Sequence, residues 1–387
     1  MTSQATSDPK DTLLDQLYSH ERVSIRAELA LEGARFLQPT SFPDIGFCIY
    51  RDKDGDNWCL VESEQSMANR LESVCMRSPG VWVDDFNQLP VIVVKNEQGK
   101  LLATNLTEPH RIASSYILES KITNSSKSFK ECFEKKIELL NGKVWPLDKR
   151  PKLEQLVFAL DPAALLHGFQ FVEWGVVGLR QTRLLHARLE ATLAPEPEVS
   201  YGMVKLDQIE PGESSQEKTN MGQSISVKGR IIPEKIIAMF DIDVLGIRNL
   251  SLDDDNHSKF LFALALWKIG AFLSGKPSFD PRNRATDSSL RLRTDCYLSC
   301  NGKLRWTAGT MSDKQTSKDE QTLKEISLED LVSINPTSIF NIDFSSLIKD
   351  RFDKECLGDD SGRQKDDLVR YAGPVVEVTY ARDHNRS

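Results

Sequence analysis

The sequence predicts an α+β fold of the βαββαβ kind, and three features of it do so: an early strand of period two, a capped amphipathic helix, and a long apolar helix followed by a second period-two strand. Val23, Ile25, Ala27, Leu29 and Leu31 alternate with Arg22, Ser24, Arg26, Glu28 and Ala30, the pattern of a strand with one buried face. Glu32 to Gly46 carries Gly33, Pro39, Pro43 and Gly46 and reads as a long structured loop. Phe47–Arg51 and Trp58–Val61 flank Asp54-Gly55, a hairpin signal. Ser63 then caps a helix whose Met67, Leu71, Val74 and Cys75 form one stripe, with Gln65, Asn69 and Arg70 off it. Val91–Val94 and Leu101–Ala103, around Gly99, give a second hairpin, and Glu108–Glu119 a short helical segment with Pro109 in its first turn.

Ser128 and Glu131 have capping-box spacing, ahead of Phe129, Phe133, Ile137 and Leu140 on one side and Gly142 past the end. Leu153, Leu156, Val157 and Leu160 mark a further helix, closed by Asp161-Pro162. His167 to Ala191 mixes periodicities around Gly168, Gly175 and Gly178 and is read as short strands. Tyr201–Ile209 is one arm of a hairpin, and Pro211–Gln223 its polar tip. Lys259–Ser274 is apolar around most of its circumference, which implies burial on several sides. Strand Leu290–Leu298 follows, with Leu290, Leu292, Thr294, Cys296 and Leu298 on one face and Arg291, Arg293, Asp295 and Tyr297 on the other. Ser312–Lys324 is polar enough to be disordered.

The best-marked elements run strand, helix, strand, strand, helix, strand, a ferredoxin-like unit with large insertions. In that topology the first and last strands are neighbours and both helices cover one face. Arg22 and Arg26 would then share the open face with Arg291 and Arg293, a row suited to a phosphate backbone. The alternative is a solvated face laced with Glu28 and Asp295.

A net charge of −8 opposes nucleic-acid binding in general, so any phosphate site must come from local placement. The seven cysteines stand singly, with no CxxC pair or His-rich cluster, and read as thiols of a reducing cytoplasm rather than a disulfide or zinc framework. Met1–Asp11 is too polar for a signal peptide, and the apolar run Phe260–Leu273 is broken by Lys268 and Gly270, so a soluble, cytoplasmic protein without a membrane segment is expected. No Walker, Rossmann, GxSxG or zinc motif is present, and no cofactor or metal is expected. Asp253-Asp254-Asp255 suits a helix start, where carboxylates complement the dipole. His110, His167 and His186 have no second group at a readable spacing and read as donors, not as acid and base.

Phe36–Gly46 (FLQPTSFPDIG) and Leu60–Glu72 (LVESEQSMANRLE) resemble the signature of the Cas-seven family, a branch of the RAMP superfamily, in its subtype I-G CRISPR form. Pro109–Ile117, Asp161–Gly168, Tyr201–Asp207, Phe262–Ile269 and Leu290–Thr294 resemble the family too, in family order from about residue 22 to 300. The resemblance implies an RRM-like palm (residues 21–119 and 231–310), a helical fingers insertion (120–198) and a β-hairpin thumb (199–230), between a tail (1–20) and a C-terminal extension (311–387). It further implies a non-catalytic subunit of a Cascade surveillance complex. Copies would stack head to tail along guide RNA (crRNA), beside other Cascade subunits, and present the guide to target DNA.

For the site, the ESEQSMANR stretch resembles the start of a palm helix that contacts guide phosphates. A helix N-terminus offers unpaired N–H groups to an anion, and Gln65, Ser66, Asn69 and Arg70 add side-chain donors. Arg35, Gln38, Thr40 and Ser41 in the preceding loop, and His110 with Arg111, are further candidate donors. In the hairpin, Lys205 and Lys218 would hold the backbone while Met203 or Met221 wedges between bases. The competing expectation is a RAMP-type endoribonuclease, which the neutral donors and arginines of the signature disfavour.

Overall fold

The computed structural model describes residues 9–42, 46–123, 125–137, 150–171, 180–194, 199–207, 223–280, 285–293, 296–309, 324–352 and 371–381. In chain order, the elements that build the fold are α1 (Pro9–Tyr18), β1 (Arg22–Glu32), β2 (Ile49–Arg51), β3 (Asn57–Glu62), α2 (Glu64–Ser73), β4 (Val91–Asn96), β5 (Leu101–Thr104), α3 (Phe129–Lys136), α4 (Arg150–Leu160) and α5 (Pro162–His167). They continue with β6 (Leu185–Leu193), β7 (Val199–Asp207), β8 (Gln223–Ile231), β9 (Lys235–Asp243), α6 (Asp255–Leu273), β10 (Arg291–Arg293), β11 (Cys296–Gly309), β12 (Lys324–Ser327), α7 (Leu328–Ser333) and β13 (Val375–Tyr380).

The alternation along β1 is realised as predicted: Val23, Ile25, Ala27 and Leu29 are buried, and Arg22, Arg26, Glu28 and Ala30 are exposed. β1 is central in an antiparallel sheet of order β10-β11-β1-β9-β6-β3-β2, with β12 also on β11. The buried face of β1 joins Ile236, Ala238, Phe240 and Ile242 of β9 and Ala187, Leu189 and Ala191 of β6, and α2 and α6 pack on this sheet. Each such large apolar side chain contributes about 1.5–3 kcal/mol on burial. The mixed α+β character expected from sequence is therefore observed.

α6 is buried from Phe260 to Leu273, Lys268 included. At Gly270 an added Cβ would lie 2.9 Å from both Leu331 Cβ and Val332 N, so the glycine lets α7 approach the helix backbone. The strand β9 went unread in the sequence. Met239, on the face opposite Ala238 and Phe240, is buried as well, and that erases the alternation.

The late strand departs from expectation. Leu290, Leu292, Cys296 and Leu298 are buried as predicted. The strand is nevertheless two pieces, β10 and β11, whose pairing shifts register between Arg291 and Arg293, while Thr294 and Asp295 lie outside the described residues. It is β11 that pairs with β1, so Arg291 and Arg293 sit one strand further out than the neighbouring position assigned to them.

A second sheet has the order Lys121–Ile122, β13, β4, β5, with β13 parallel to β4. Val376 and Val378 are buried, and Lys95 of β4 donates to Glu377 at 2.7 Å. Residues beyond 310 thus supply an interior strand and α7. Residues 9–18, assigned to a polar tail, form α1, whose Leu14, Leu17 and Tyr18 are buried. β7 and β8 form a two-stranded hairpin paired from Val199↔Ile231 to Asp207↔Gln223. Cys48, Cys59, Cys75, Cys296 and Cys300 are free thiols, whereas Cys132 is disulfide-bonded, which corrects the all-thiol expectation for that residue. The stretch 310–323, which holds most of the polar segment Ser312–Lys324, lies outside the described residues. Among the described residues no helix is long and apolar enough to cross a membrane, and no group of three or more His, Cys, Asp or Glu could hold a metal ion.

Candidate nucleic-acid interface

The start of α2 is built on a buried carboxylate. Ser63, extended at φ −72° and ψ 165°, accepts from the Ser66 N–H at 3.3 Å and caps the helix. Glu62, the last residue of β3, is 1% exposed and needs donors to stay ionised there. The Ser66 hydroxyl and Arg70 supply them, the latter through Nη2 at 2.9 Å. Arg70 also donates to the carbonyls of Arg291 at 3.0 Å and Leu292 at 3.1 Å. The helix is thereby fastened to β10. Arg70 and Ser66, expected as RNA donors, are turned inward, because a carboxylate from the preceding strand claims them.

Gln65 and Asn69 are exposed and make no hydrogen bond among the described residues. Glu64, in the first turn, accepts from Arg183 Nη1 at 3.4 Å and lies 3.1 Å from His186 Nδ1. His186 Nε2 is 3.1 Å from the Arg183 carbonyl, so each ring nitrogen has an acceptor beside it, and a single ring N–H can donate to only one of the two. A carboxylate at a helix N-terminus would compete with a bound anion, and here Arg183 offsets its charge.

The loop after β1 connects this helix to the β7–β8 hairpin. Leu37 and Ile231 exchange two backbone hydrogen bonds, of 3.0 and 2.9 Å. Thr40 donates through both its N–H and its hydroxyl to the Val61 carbonyl, each at 2.9 Å. The Arg230 guanidinium carbon stands 4.3 Å from the centroid of the Phe36 ring. Arg35 is exposed and Gln38 half-buried, and neither makes a hydrogen bond among the described residues. The side chains of Ser41, Lys205, Met203 and Arg293 lie outside what the structure describes, as do residues 208–222 with Lys218 and Met221. Arg291 is half-buried, with its guanidinium carbon 5.1 Å from the centroid of the Tyr297 ring.

His110 is exposed, but its neighbour Arg111 is drawn inward. Arg111 forks onto Glu72, with Nη2 3.0 Å from Oε2 and Nε on Oε1, and donates to the Gly168 carbonyl at 2.9 Å. It does so in the left-handed region, at φ +54°, which a non-glycine residue adopts only when its surroundings hold it there. Arg111 is therefore, like Arg70, a donor already in use.

Behind it lies a small cavity where Glu72, Asn105, Arg111, Asp161 and Lys268 meet an apolar wall of Trp82, Leu106 and Ala163. Lys268 Nζ is 2.7 Å from His167 Nε2, and both side chains are buried. Burial, and then the Lys268 charge, hold His167 well below the usual imidazole range. Burial pushes the Asp161 carboxyl up to about 6. Sequence reasoning missed this cluster, since Lys268 stands alone in an apolar run and its partners come from α2, α5 and the segment after β5.

The open face of the sheet is mixed in charge. Arg26 faces Arg305 across the strands, with Arg22 four residues away along β1. Asp241 and Asp243 of β9, Glu28 of β1 and Glu325 of β12 share that face. Ser24 donates to Asp241, and Arg188 is 3.1 Å from Glu190 and 3.8 Å from Asp241. The expected row of four arginines on adjacent strands is not formed, and this face resembles the solvated alternative. Among the described residues, Gln65 and Asn69 of α2 and Arg35 and Gln38 of the loop after β1 keep side-chain donors without a hydrogen bond, groups of the kind that can hold phosphate or sugar oxygens.

Residues 23–195 match the model of a family described as CRISPR-associated protein GSU0053. No curated protein matches the chain. A chain of a solved structure described as "CRISPR RNA-guided surveillance complex, pre-nicking" is similar at 11% identity and a TM-score of 0.35, over 78% of this chain and 83% of that one. Across residues 23–195, the stretch that holds the loop, α2 and the Arg111 segment, the chain is thus similar to a CRISPR-associated protein family.

Proposed function

We propose that this chain is a guide-RNA-binding backbone subunit of a type I CRISPR surveillance (Cascade) complex, of the Cas-seven family in its subtype I-G form. Copies of it would polymerise along crRNA in the cytoplasm and present the guide to target DNA. The observation that carries the reading is the loop of residues 33–42, which ties the base of the β7–β8 hairpin to the start of α2, beside Arg35, Gln38, Gln65 and Asn69, whose side chains make no hydrogen bond among the described residues. Three neutral amides and one guanidinium beside a helix N-terminus suit a sugar-phosphate backbone more than any reaction. The CRISPR-associated family match over the same residues supports it.

In this reading β11, β1, β9 and β6, with α2 and α6, are the RRM-like palm, so that Leu185–Leu193, expected within the fingers stretch 120–198, counts with the palm because it pairs with β9. Their order, last strand beside first and the two middle strands following, is that of a βαββαβ unit. The β7–β8 hairpin is the thumb, and the segment with α3, α4 and α5 the fingers.

Catalysis has no part in the proposal. His186 is held between the Glu64 carboxylate and the Arg183 carbonyl, His167 is buried against Lys268, and His110 has no carboxylate partner among the described residues. The test is whether the purified protein carries a discrete RNA, judged by absorbance ratio and gel, and whether Gln65→Ala with Asn69→Ala reduces that RNA while the fold survives. Protein free of nucleic acid that also fails to bind added single-stranded RNA would sink the proposal. RNA cleavage at a regular spacing would replace it with the nuclease reading.

A further inference from the structure

The loop signature was expected to supply RNA donors, yet its most firmly held residues face the hairpin. Leu37 is 1% exposed and bonds Ile231 in both directions, an isolated bridge outside the main sheets. Phe36 carries Arg230 over its ring, and Gly229 meets Phe47 so closely that a Cβ there would overlap the ring. At the other end Thr40 grips the Val61 carbonyl twice, two residues before the Ser63 cap of α2. Between these anchors lies Pro39, buried and fixed in φ by its ring.

A two-stranded hairpin is marginal in water on its own and holds no fixed direction without packing at its base. β8 is joined to β9 through residues 232–234, where Glu234 N–H donates to the Thr192 carbonyl at 2.8 Å. Chain continuity with β6 and β9 does not by itself fix the direction of a two-stranded hairpin. We infer that Phe36, Leu37 and Thr40 are positioning residues that brace the hairpin against the start of α2 and so set the direction in which it reaches. Three residue steps separate Leu37 from Thr40, so the two anchors stand at most about 10 Å apart. One RNA segment then meets hairpin base and helix N-terminus together. The consequence for RNA rests on the function proposed above, whereas the brace itself does not.

The experiment is hydrogen exchange by mass spectrometry on the full chain, paired with native mass spectrometry of its RNA-bound form. Phe36→Ala should raise exchange in residues 223–231 by about tenfold and leave 64–73 and 235–243 unchanged, as expected of a local opening. It should also yield shorter RNA-bound oligomers. Phe36→Tyr, which keeps a ring beneath Arg230, should restore both readouts, and Phe36→Leu neither. Unchanged exchange in 223–231, or rescue by leucine equal to that by tyrosine, would overturn the inference. So would faster exchange with oligomers of full length. Should wild-type protein hold no RNA, the proposed function fails, and exchange alone decides the brace.

Discussion

Gln65 and Arg70 belong to one helix, yet they belong to different parts of the molecule's chemistry. Gln65 and Asn69 are exposed, with side chains that make no hydrogen bond among the described residues, while Arg70 and Arg111 end on the carboxylates of Glu62 and Glu72. What separates them is the presence of a buried acid within reach, not residue type. A guanidinium beside a desolvated carboxylate is committed to the fold, because withdrawing it leaves an uncompensated charge. A neutral amide on the outer face costs nothing to leave unpaired and is available to a ligand.

The sharpest way to break this contrast is Arg70→Ala. It leaves Glu62 buried without its cation, and chemical denaturation should show a loss of about 3–5 kcal/mol. A loss below about 0.5 kcal/mol would return Arg70 to the surface class.

A second test uses pH. Asp161, pushed by burial up to about 6 from an ordinary 3.8, favours the folded state most when protonated, below the lower value. That contribution is lost as pH climbs through about 6, whereas an asparagine is neutral throughout. Asp161→Asn should therefore gain stability relative to wild type between pH 4 and pH 7, by up to about 3 kcal/mol. A difference independent of pH would show that the carboxyl is not confined in the cavity.

On the exposed side, Gln65→Ala with Asn69→Ala should move stability by no more than about 0.5 kcal/mol and weaken RNA binding about tenfold, since each neutral hydrogen bond contributes about 0.5–1.5 kcal/mol. Fluorescence anisotropy with single-stranded RNA reads the second effect. The smallest expected change is in Arg35→Ala. One lost phosphate contact should lower the magnitude of the log affinity against log salt slope by about 0.7, and the amide double variant should leave that slope alone.

Elements whose signal is local were legible. The alternation of β1, the Ser63 cap, the Ser128–Glu131 capping box that opens α3 and the wholly apolar α6 all depend on residues within a few positions of one another. β9 was not, because Ile236–Phe240 is an unbroken apolar run, in which half-buried Ile237 and buried Met239 hide the alternation from the sequence. The fate of the arginines was equally hidden. Leu292, whose carbonyl helps to hold Arg70, is 222 positions away, and Gly168, which helps to hold Arg111, is 57 away. The loop at 33–42 was recognised by its composition, and its exposed Arg35 and half-buried Gln38 fit a binding role. Its bond to the hairpin required Ile231, which no local pattern announces.

The strand β13 lies in the interior of the second sheet, parallel to β4, although the chain makes it long after β4 and β5. Until it arrives, the nascent β4–β5 hairpin presents the backbone edge of Val91–Asn96 unpaired, and at about 5–20 residues per second that interval lasts on the order of 15–60 s. An apolar edge left open for that long invites pairing between neighbouring chains on a polysome. Its completion is a late, non-local event that sets the pace of maturation.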